Sequence, residues 1–184
     1  MRPIRMHDYG KMLRILNRLP FFADFSHIEQ LELIKAKNMF VVADPQEQIV
    51  RRGAHGNSFY VVVSGKVGVL APSGEDDEPV AALGPGDVFG EVAFLSGTER
   101  TADVVAVDQS ILFWLDRHSM AKLQVPLREK IKDQLIGCLV ERLHDLNRRL
   151  YGPEGGDEAT DDAGDGGADG GDGDEEATAP PRPE

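Results

Sequence analysis

Three residues in the middle of the chain have the chemistry to hold an anion and a sugar: Gly90, Glu91 and Arg100. Gly90 has no side chain, so the backbone there can approach a ligand closely. Helix-forming residues without Pro follow at 91–95, so a helical turn can begin there and present unpaired N–H groups to an anion. The guanidinium of Arg100 offers a fork of donors that matches a phosphate. Glu91 would repel that phosphate, but its carboxylate could accept a hydrogen bond from a sugar hydroxyl of the same ligand. Together the three residues predict a nucleotide site, although each alone is also explained by a tight turn or a surface ion pair.

The surrounding sequence resembles the phosphate-binding cassette of cyclic nucleotide-binding domains. The cassette is F-G-E-V-A-F-L-S-G-T-E-R-T-A-D-V at 89–104, preceded by G-A-H-G-N-S-F-Y-V-V-V-S-G-K-V at 53–67 and L-G-P-G-D-V-F-G-E at 83–91. Such domains occur in the catabolite activator protein, protein kinase A regulatory subunits and cyclic-nucleotide-gated channels. The similarity covers roughly residues 13–150 and corresponds to the sensor half of activator-like regulators, without their DNA-binding domain.

The resemblance implies a ligand, cAMP or cGMP, and a role for each matching residue, with no metal involved. Gly90 and Glu91 would meet the ribose 2′-hydroxyl, while the cyclic phosphate would be held by the amides of Val92 and Ala93 and by Arg100. Thr101 would add a hydroxyl to the phosphate or to a guanine base.

The remaining ligand-binding positions that we predict are Ala102, Val69, Val80 and Asn147. Ala102 follows Thr101, and Val69 and Val80 match positions that flank the base in the family. On the last helix, Arg142 and Asn147 align approximately with residues that reach the base in bacterial activators, and the Asn147 amide could bond an adenine edge.

Asp103 provides the strongest argument against this interpretation. Strand alternation from Thr101 places Thr101 and Asp103 on the same face. If Asp103 points inward, its carboxylate would neutralise Arg100 and weaken phosphate binding. The position of the Asp103 side chain therefore distinguishes an open pocket from a closed one.

The elements that must position these residues are mostly short strands. Eight β-prone runs are separated by turn residues, and this arrangement is typical of an antiparallel sandwich or jelly roll. The fold class that we predict is mainly β with flanking helices, and the strands are expected at 39–43, 48–52, 58–64, 66–71, 79–83, 87–89, 101–106 and 111–116.

Helices are predicted on both sides of the strands. Apolar residues at helical spacing precede Pro20, and Ser26 with Glu29 forms a capping box for a helix that carries Ile28, Leu31 and Ile34. Asp116 can cap a short helix, and a longer one begins at Pro126. The expected domains are a helical segment (1–38), a β-roll with the cassette (39–125), a long helix (126–151) and a disordered acidic tail (152–184).

The long helix carries an apolar stripe at every third or fourth residue, formed by Leu127, Ile131, Leu135, Leu139, Leu143, Leu146 and Leu150. Two interpretations stay open. The helix covers its own domain, or residues 127–150 pair with a second copy across a two-fold axis.

Composition narrows the function further. The net charge of −12 arises mostly after residue 151, where twelve Asp and Glu accompany one Arg. The near-neutral remainder argues against a broad nucleic-acid-binding face. The single Cys fits a reducing compartment, no apolar run is long enough for a membrane span, and a cytoplasmic location is expected. No catalytic motif or paired metal-ligand spacing occurs among the residues, so enzyme activity is not expected.

The sequence therefore predicts a stand-alone cyclic nucleotide sensor that signals to a protein partner by moving its C-terminal helices. Direct DNA binding is not expected, because no structured segment is predicted after Tyr151. The alternative is a nucleotide-free interaction scaffold with the same fold. A third interpretation is a regulator that acts by forming mixed dimers with a full-length relative.

Overall fold

The computed structural model describes residues 1–4, 8–36, 38–70 and 79–152. The chain begins with a short strand, β1 (Arg2–Pro3), followed by helix α1 (Tyr9–Leu16), a 3₁₀ turn (Pro20–Phe22) and helix α2 (His27–Lys35). The predicted capping box is present at the start of α2, where the Glu29 amide donates to Ser26 Oγ at 3.3 Å and the Ser26 amide to Glu29 Oε2 at 2.7 Å.

The apolar residues predicted on α2 differ in burial. Ile34 is buried and Leu31 half-buried, but Ile28 is 80% exposed, and the buried face also includes Gln30 and Leu33. Gln30 faces inward because its side-chain amide donates to the carbonyls of Phe22 and Phe25 at 3.2 and 3.3 Å, which ties α2 to the 3₁₀ turn.

The central part of the chain folds into two antiparallel sheets. The remaining strands are β2 (Phe40–Ala43), β3 (Gln48–Val50), β4 (Ser58–Ser64), β5 (Val67–Leu70), β6 (Pro79–Leu83), β7 (Val88–Phe89), β8 (Asp103–Ala106) and β9 (Ser110–Asp116). One sheet has the order β1-β2-β9-β4-β7 and the other the order β3-β8-β5-β6. The predicted fold class, an antiparallel β-sandwich with flanking helices, is confirmed.

Strand β4 shows how the layers are held together. Phe59, Val61 and Val63 pack into a cluster with the helices, while Tyr60 and Val62 pack into a second cluster between the sheets. This alternation follows from the two-residue period of a strand. The five-stranded sheet is therefore buried on both faces, with helices on one side and the second sheet on the other.

The last two helices close the helical face. Asp116 caps α4 (Arg117–Lys122) as predicted, accepting from the Ser119 amide at 2.7 Å. Helix α5 (Val125–Tyr151) buries Leu127, Ile131 and Leu135 against the domain. Its second half leaves large apolar side chains exposed, namely Ile136, Val140, Leu143, Leu146, Leu150 and Tyr151. The first half of the stripe therefore covers the helix's own domain, as one of the two interpretations expects, and the second half is exposed.

Helix α3 (Glu91–Ser96) connects β7 of one sheet to β8 of the other. The cassette therefore lies where the chain crosses from the edge strand β7 of one sheet to the other sheet. No helix in the described part of the chain is both long and apolar enough to span a bilayer. The predicted acidic tail from residue 153 onward and the turn predicted at 73–78 lie outside the described residues.

Candidate functional site

Helix α3 begins at a glycine that no other residue could replace without strain. Gly90 has a φ of +77°, in the left-handed region, and a Cβ built there would lie 2.3 Å from Arg100 Nη1. The absence of a side chain therefore permits both the turn and the close approach of the guanidinium. The amides of the first helical turn, at residues 91–93, have no acceptor within the helix.

Arg100 is buried behind this turn, with 7% of its surface exposed. Its Nη1 donates to the Gly90 carbonyl at 2.8 Å, and its Nη2 donates to the carbonyl and hydroxyl of Ser58 at 2.6 and 3.0 Å. The guanidinium carbon lies 5.9 Å from the ring centre of Tyr60, within cation–π range. Burial lowers the pKa of Arg100, because removal from water disfavours the charged form.

Glu91 is buried further, with 2% of its surface exposed. Burial raises the pKa of its carboxyl, and the nearby charge of Arg142 only partly opposes that effect. Arg142 reaches across from α5 and forms an ion pair with Glu91 Oε1, while its other terminal nitrogen donates to the Val88 carbonyl. Within the described ranges, Glu91 and Arg100 form no ion pair with each other.

Asp103 does not neutralise Arg100. Its carboxylate oxygen Oδ1 accepts from Gln48 Nε2 at 2.8 Å and from the Arg52 amide at 3.0 Å. Both partners belong to the segment around β3, so the carboxylate is occupied away from the guanidinium. The sequence left open whether Asp103 closes the pocket by neutralising Arg100, and in the structure it does not.

A cavity of about 210 Å³ joins these groups. Of the ten predicted ligand-binding residues, eight line it: Val69, Gly90, Glu91, Val92, Ala93, Arg100, Thr101 and Ala102. The remaining lining residues are Val50, Leu83, Phe89, Val104 and Arg142. One carboxylate and two guanidinium groups give the cavity a net positive charge, which suits an anionic ligand.

The structure does not bring Val80 or Asn147 to this cavity. Strand β6 pairs with β5 so that Val69 lies opposite Ala81, which puts Val80 on the alternate face, where it is 66% exposed. Asn147 is exposed and lies five residues beyond Arg142, roughly 7.5 Å further along the helix axis. Arg142, and not Asn147, is the residue through which α5 reaches the site.

Sequence reasoning also left out the apolar wall of the cavity. The cluster between the sheets contributes Val50, Phe89 and Val104 to this wall. Which residues of the cluster reach the cavity depends on how the strands pair. Strand alternation around Val69 could have indicated Leu83, because the two lie on the same face of paired strands. Within the described ranges, no group of three or more His, Cys, Asp or Glu is placed to hold a metal.

Residues 40–124 match the family described as "Cyclic nucleotide-binding domain", and the resemblance stated from the sequence is thereby confirmed. Among curated proteins, a cAMP-dependent protein kinase regulatory subunit of Yarrowia lipolytica is 38% identical over 53% of the chain and 25% of its own length. The matched regions span between 17% and 47% of the curated relatives.

Solved structures agree on the fold. The catabolite activator protein of Thermus thermophilus is 29% identical with a TM-score of 0.59, over 71% of this chain and 61% of that one. The regulatory subunit of a cAMP-independent protein kinase A from Trypanosoma brucei is 25% identical with a TM-score of 0.57, over 77% of this chain and 47% of that one.

Proposed function

From the match of residues 40–124 to the cyclic nucleotide-binding domain family, we propose that the cavity at Gly90, Glu91 and Arg100 binds cAMP or cGMP. One observation carries the proposal: a buried carboxylate and a buried guanidinium face the same cavity without pairing to each other. The two groups match the two kinds of polar group that a cyclic nucleotide presents, a sugar hydroxyl and a charged phosphate.

Each residue then has a defined task. The Glu91 carboxylate accepts from the ribose 2′-hydroxyl beside Gly90. Arg100 and the amides of Val92 and Ala93 hold the cyclic phosphate. Arg100 can do so while it stays anchored, because a guanidinium has five N–H donors. Its three hydrogen bonds to Gly90 and Ser58 use three of them, and the other two can donate to a phosphate.

The rest of the ligand meets the apolar wall and the start of β8. Thr101 adds a hydroxyl next to the phosphate or the base, with Ala102 beside it. Val69, from the opposite strand, lies against the base. Calorimetric titration with cAMP and with cGMP determines which base, adenine or guanine, the site prefers.

The proposed output passes through α5. Arg142 occupies the Glu91 carboxylate and the Val88 carbonyl, so a ligand hydroxyl that binds Glu91 competes directly with the helix. The cavity of about 210 Å³ is also smaller than the ~300–1,000 Å³ usual for ligand pockets. Ligand entry therefore exchanges contacts of Arg142 and shifts α5, which changes the surface offered to a protein effector. Such a shift is limited by the difference in ligand affinity between the two helix positions.

The exposed apolar half of α5 gives that output a surface. From Ile136 to Tyr151 the helix presents large side chains to solvent over roughly 24 Å of its length. We assign this face to a homodimer contact, which deepens the prediction made for 127–150. The first half of the stripe is already used by the domain itself.

The alternative is a scaffold of the same fold that binds no nucleotide. Two observations favour it: the cavity leaves little room for a ligand, and Arg142 already occupies the Glu91 carboxylate. A regulatory subunit of a cAMP-independent protein kinase A from Trypanosoma brucei has a similar fold, and independence from cAMP is what the scaffold alternative expects. In either case we propose a regulatory protein of the cytoplasm that acts by binding and not by catalysis.

Calorimetric titration of the full chain with cAMP and with cGMP separates the two functions. We expect saturable heat with at least one nucleotide, and a loss of about ten- to hundredfold in affinity for Arg100→Ala, since hydrogen bonds to a charged group contribute about 1.5–3 kcal/mol. Arg18→Ala is the matched control, because Arg18 is exposed and lies outside the cavity. Folded protein that gives no heat with either nucleotide would refute the sensor and leave the scaffold.

A further inference from the structure

A second concave surface lies on the far side of helix α3. It has a volume of about 490 Å³ and joins the end of α3 to α4 and to the first turns of α5. We call it the basic groove; its lining residues are Phe94, Leu95, Arg117, Met120, Ala121, Arg128, Glu129 and Lys132. None of these residues except Phe94 and Leu95 belongs to the cassette, and none lines the nucleotide cavity.

The groove has an excess of positive charge, with three basic side chains against the single carboxylate of Glu129. The side chain of Arg128 makes no hydrogen bond or ion pair within the described ranges, and its Nε is buried without a partner. Lys132 is held only by an exposed contact to Glu129 at 2.9 Å, and exposed pairs of this kind contribute little. Two of the three cations are therefore available to an anionic partner.

The charge of the groove is matched by a segment of the same chain. Beyond the described residues, 153–184 contain twelve Asp and Glu and one Arg. The densest group is D-G-D-E-E at 172–176, four carboxylates in five residues. No Lys or Arg interrupts the acidic residues before Arg182.

The length of the chain allows this contact only for the later part of 153–184. From Lys132 to Gly152, α5 runs for twenty residues, which is roughly 30 Å of helix. A chain that returns along the helix at no more than about 3.5 Å per residue needs about nine residues to cover that distance. Residues 172–176 lie twenty or more residues beyond Gly152 and can reach the groove, whereas the acidic residues at 154–161 lie at most nine residues beyond it and fall short of the groove or reach it only at full extension.

We propose that the acidic segment 172–176 docks into the basic groove of its own chain, with its carboxylates on Arg128 and Lys132. Tethering makes a weak contact sufficient, because a segment on a short linker is present at millimolar effective concentration. The groove bridges α3 to α4 and α5, so docking stabilises the arrangement of these helices. The contact is independent of whether the cavity binds a nucleotide.

The test places a nitroxide on the tail of the full chain and reads its effect on the groove by NMR. Thr178→Cys carries the label in a Cys138→Ser background whose fold is checked by circular dichroism. We expect selective broadening of the amides of Leu95, Ala121 and Lys132. The broadening should disappear in about 1 M NaCl, where the screening length is about 3 Å.

Two sets of tail substitutions give a matched comparison, since each removes four charges. The test set is Asp172→Asn, Asp174→Asn, Glu175→Gln and Glu176→Gln; the control set is Glu154→Gln, Asp157→Asn, Glu158→Gln and Asp161→Asn. The proposal requires that the test set abolish the broadening and that the control set leave it.

Substitution in the groove gives the reciprocal test. Arg128→Gln with Lys132→Gln should abolish the broadening while circular dichroism shows the fold retained. Absence of groove-specific broadening, or equal loss with both tail sets, would overturn the proposal. Broadening of isotope-labelled protein by nitroxide on a separate, unlabelled copy would also overturn it, since the segment would then bind a second chain.

Discussion

Replacing Arg100 by Ala should destabilise the folded domain as well as the proposed ligand site. The guanidinium makes three hydrogen bonds at 2.6–3.0 Å, two of them to main-chain carbonyls next to the cavity. Hydrogen bonds to a charged group contribute about 1.5–3 kcal/mol each, and stranded buried acceptors cost about 1–3 kcal/mol. The cost of burying the charge, seen in the lowered pKa of Arg100, offsets part of this. We therefore expect the free energy of unfolding to fall by about 2–3 kcal/mol.

Urea denaturation of the full chain without nucleotide measures this change, and thermal denaturation should show a fall of about 2–4 °C for each kcal/mol. Arg18→Ala provides the comparison, because Arg18 is exposed and its side chain makes no hydrogen bond within the described ranges, and it should change stability by less than about 0.5 kcal/mol. If Arg100→Ala is as stable as that control, the guanidinium is not seated on the carbonyls of Gly90 and Ser58. The reasoning about how the site is built would then be refuted.

Three further substitutions test other parts of the structure. Burial raises the pKa of Glu91, so the free energy of unfolding should decline as pH rises from the unfolded pKa of this carboxyl to its higher folded pKa. Glu91→Gln should remove this decline in denaturation measured between about pH 4 and 8, and an unchanged stability profile would contradict the raised pKa of Glu91. Gly90→Ala, at φ +77°, should lower the free energy of unfolding by about 1–3 kcal/mol. Gly137→Ala, with open space around the added Cβ, should raise it by about 0.5–1 kcal/mol, and equal effects of the two would contradict the strain at Gly90. Leu143→Asp should shift the chain towards monomer in sedimentation while the neighbouring His144→Asp does not, and equal behaviour of the two would exclude the dimer face.

The strands could be predicted well because their signals are local. Residues 58–64 and 79–83 are found with the predicted bounds, since turn residues flank both runs. Strand β1 was missed because two residues, one of them Pro3, carry no periodicity, and the strand exists only by pairing with β2. Helix α2 was predicted, but the burial of Gln30 was not, because it depends on hydrogen bonds from the Gln30 side chain to carbonyls outside the helix.

The candidate site was predictable where its residues are consecutive and less so where they come from separate elements. Gly90, Glu91 and Arg100 lie within eleven residues, and the cavity brings them together. Asp103 could not be placed from alternation alone, because its orientation depends on Gln48 and Arg52 across the sheet. Which residue of α5 reaches the site depends on how the helix crosses the sandwich, and it is Arg142 that does so.

The arrangement of Glu91 and Arg100 is hard to explain as a means of stabilising the fold. Replacing buried charges by well-packed apolar groups is often neutral or stabilising, and here both pKa shifts show that burial opposes the charged forms. Each group is held in place separately, one by Arg142 and the other by main-chain carbonyls. They lie on the same cavity without neutralising each other, so the charge of Arg100 remains available to an anion, and the Glu91 carboxylate becomes available once a ligand hydroxyl displaces Arg142. A ligand with a hydroxyl for Glu91 and an anion for Arg100 satisfies both, which is the reason to test cyclic nucleotides first.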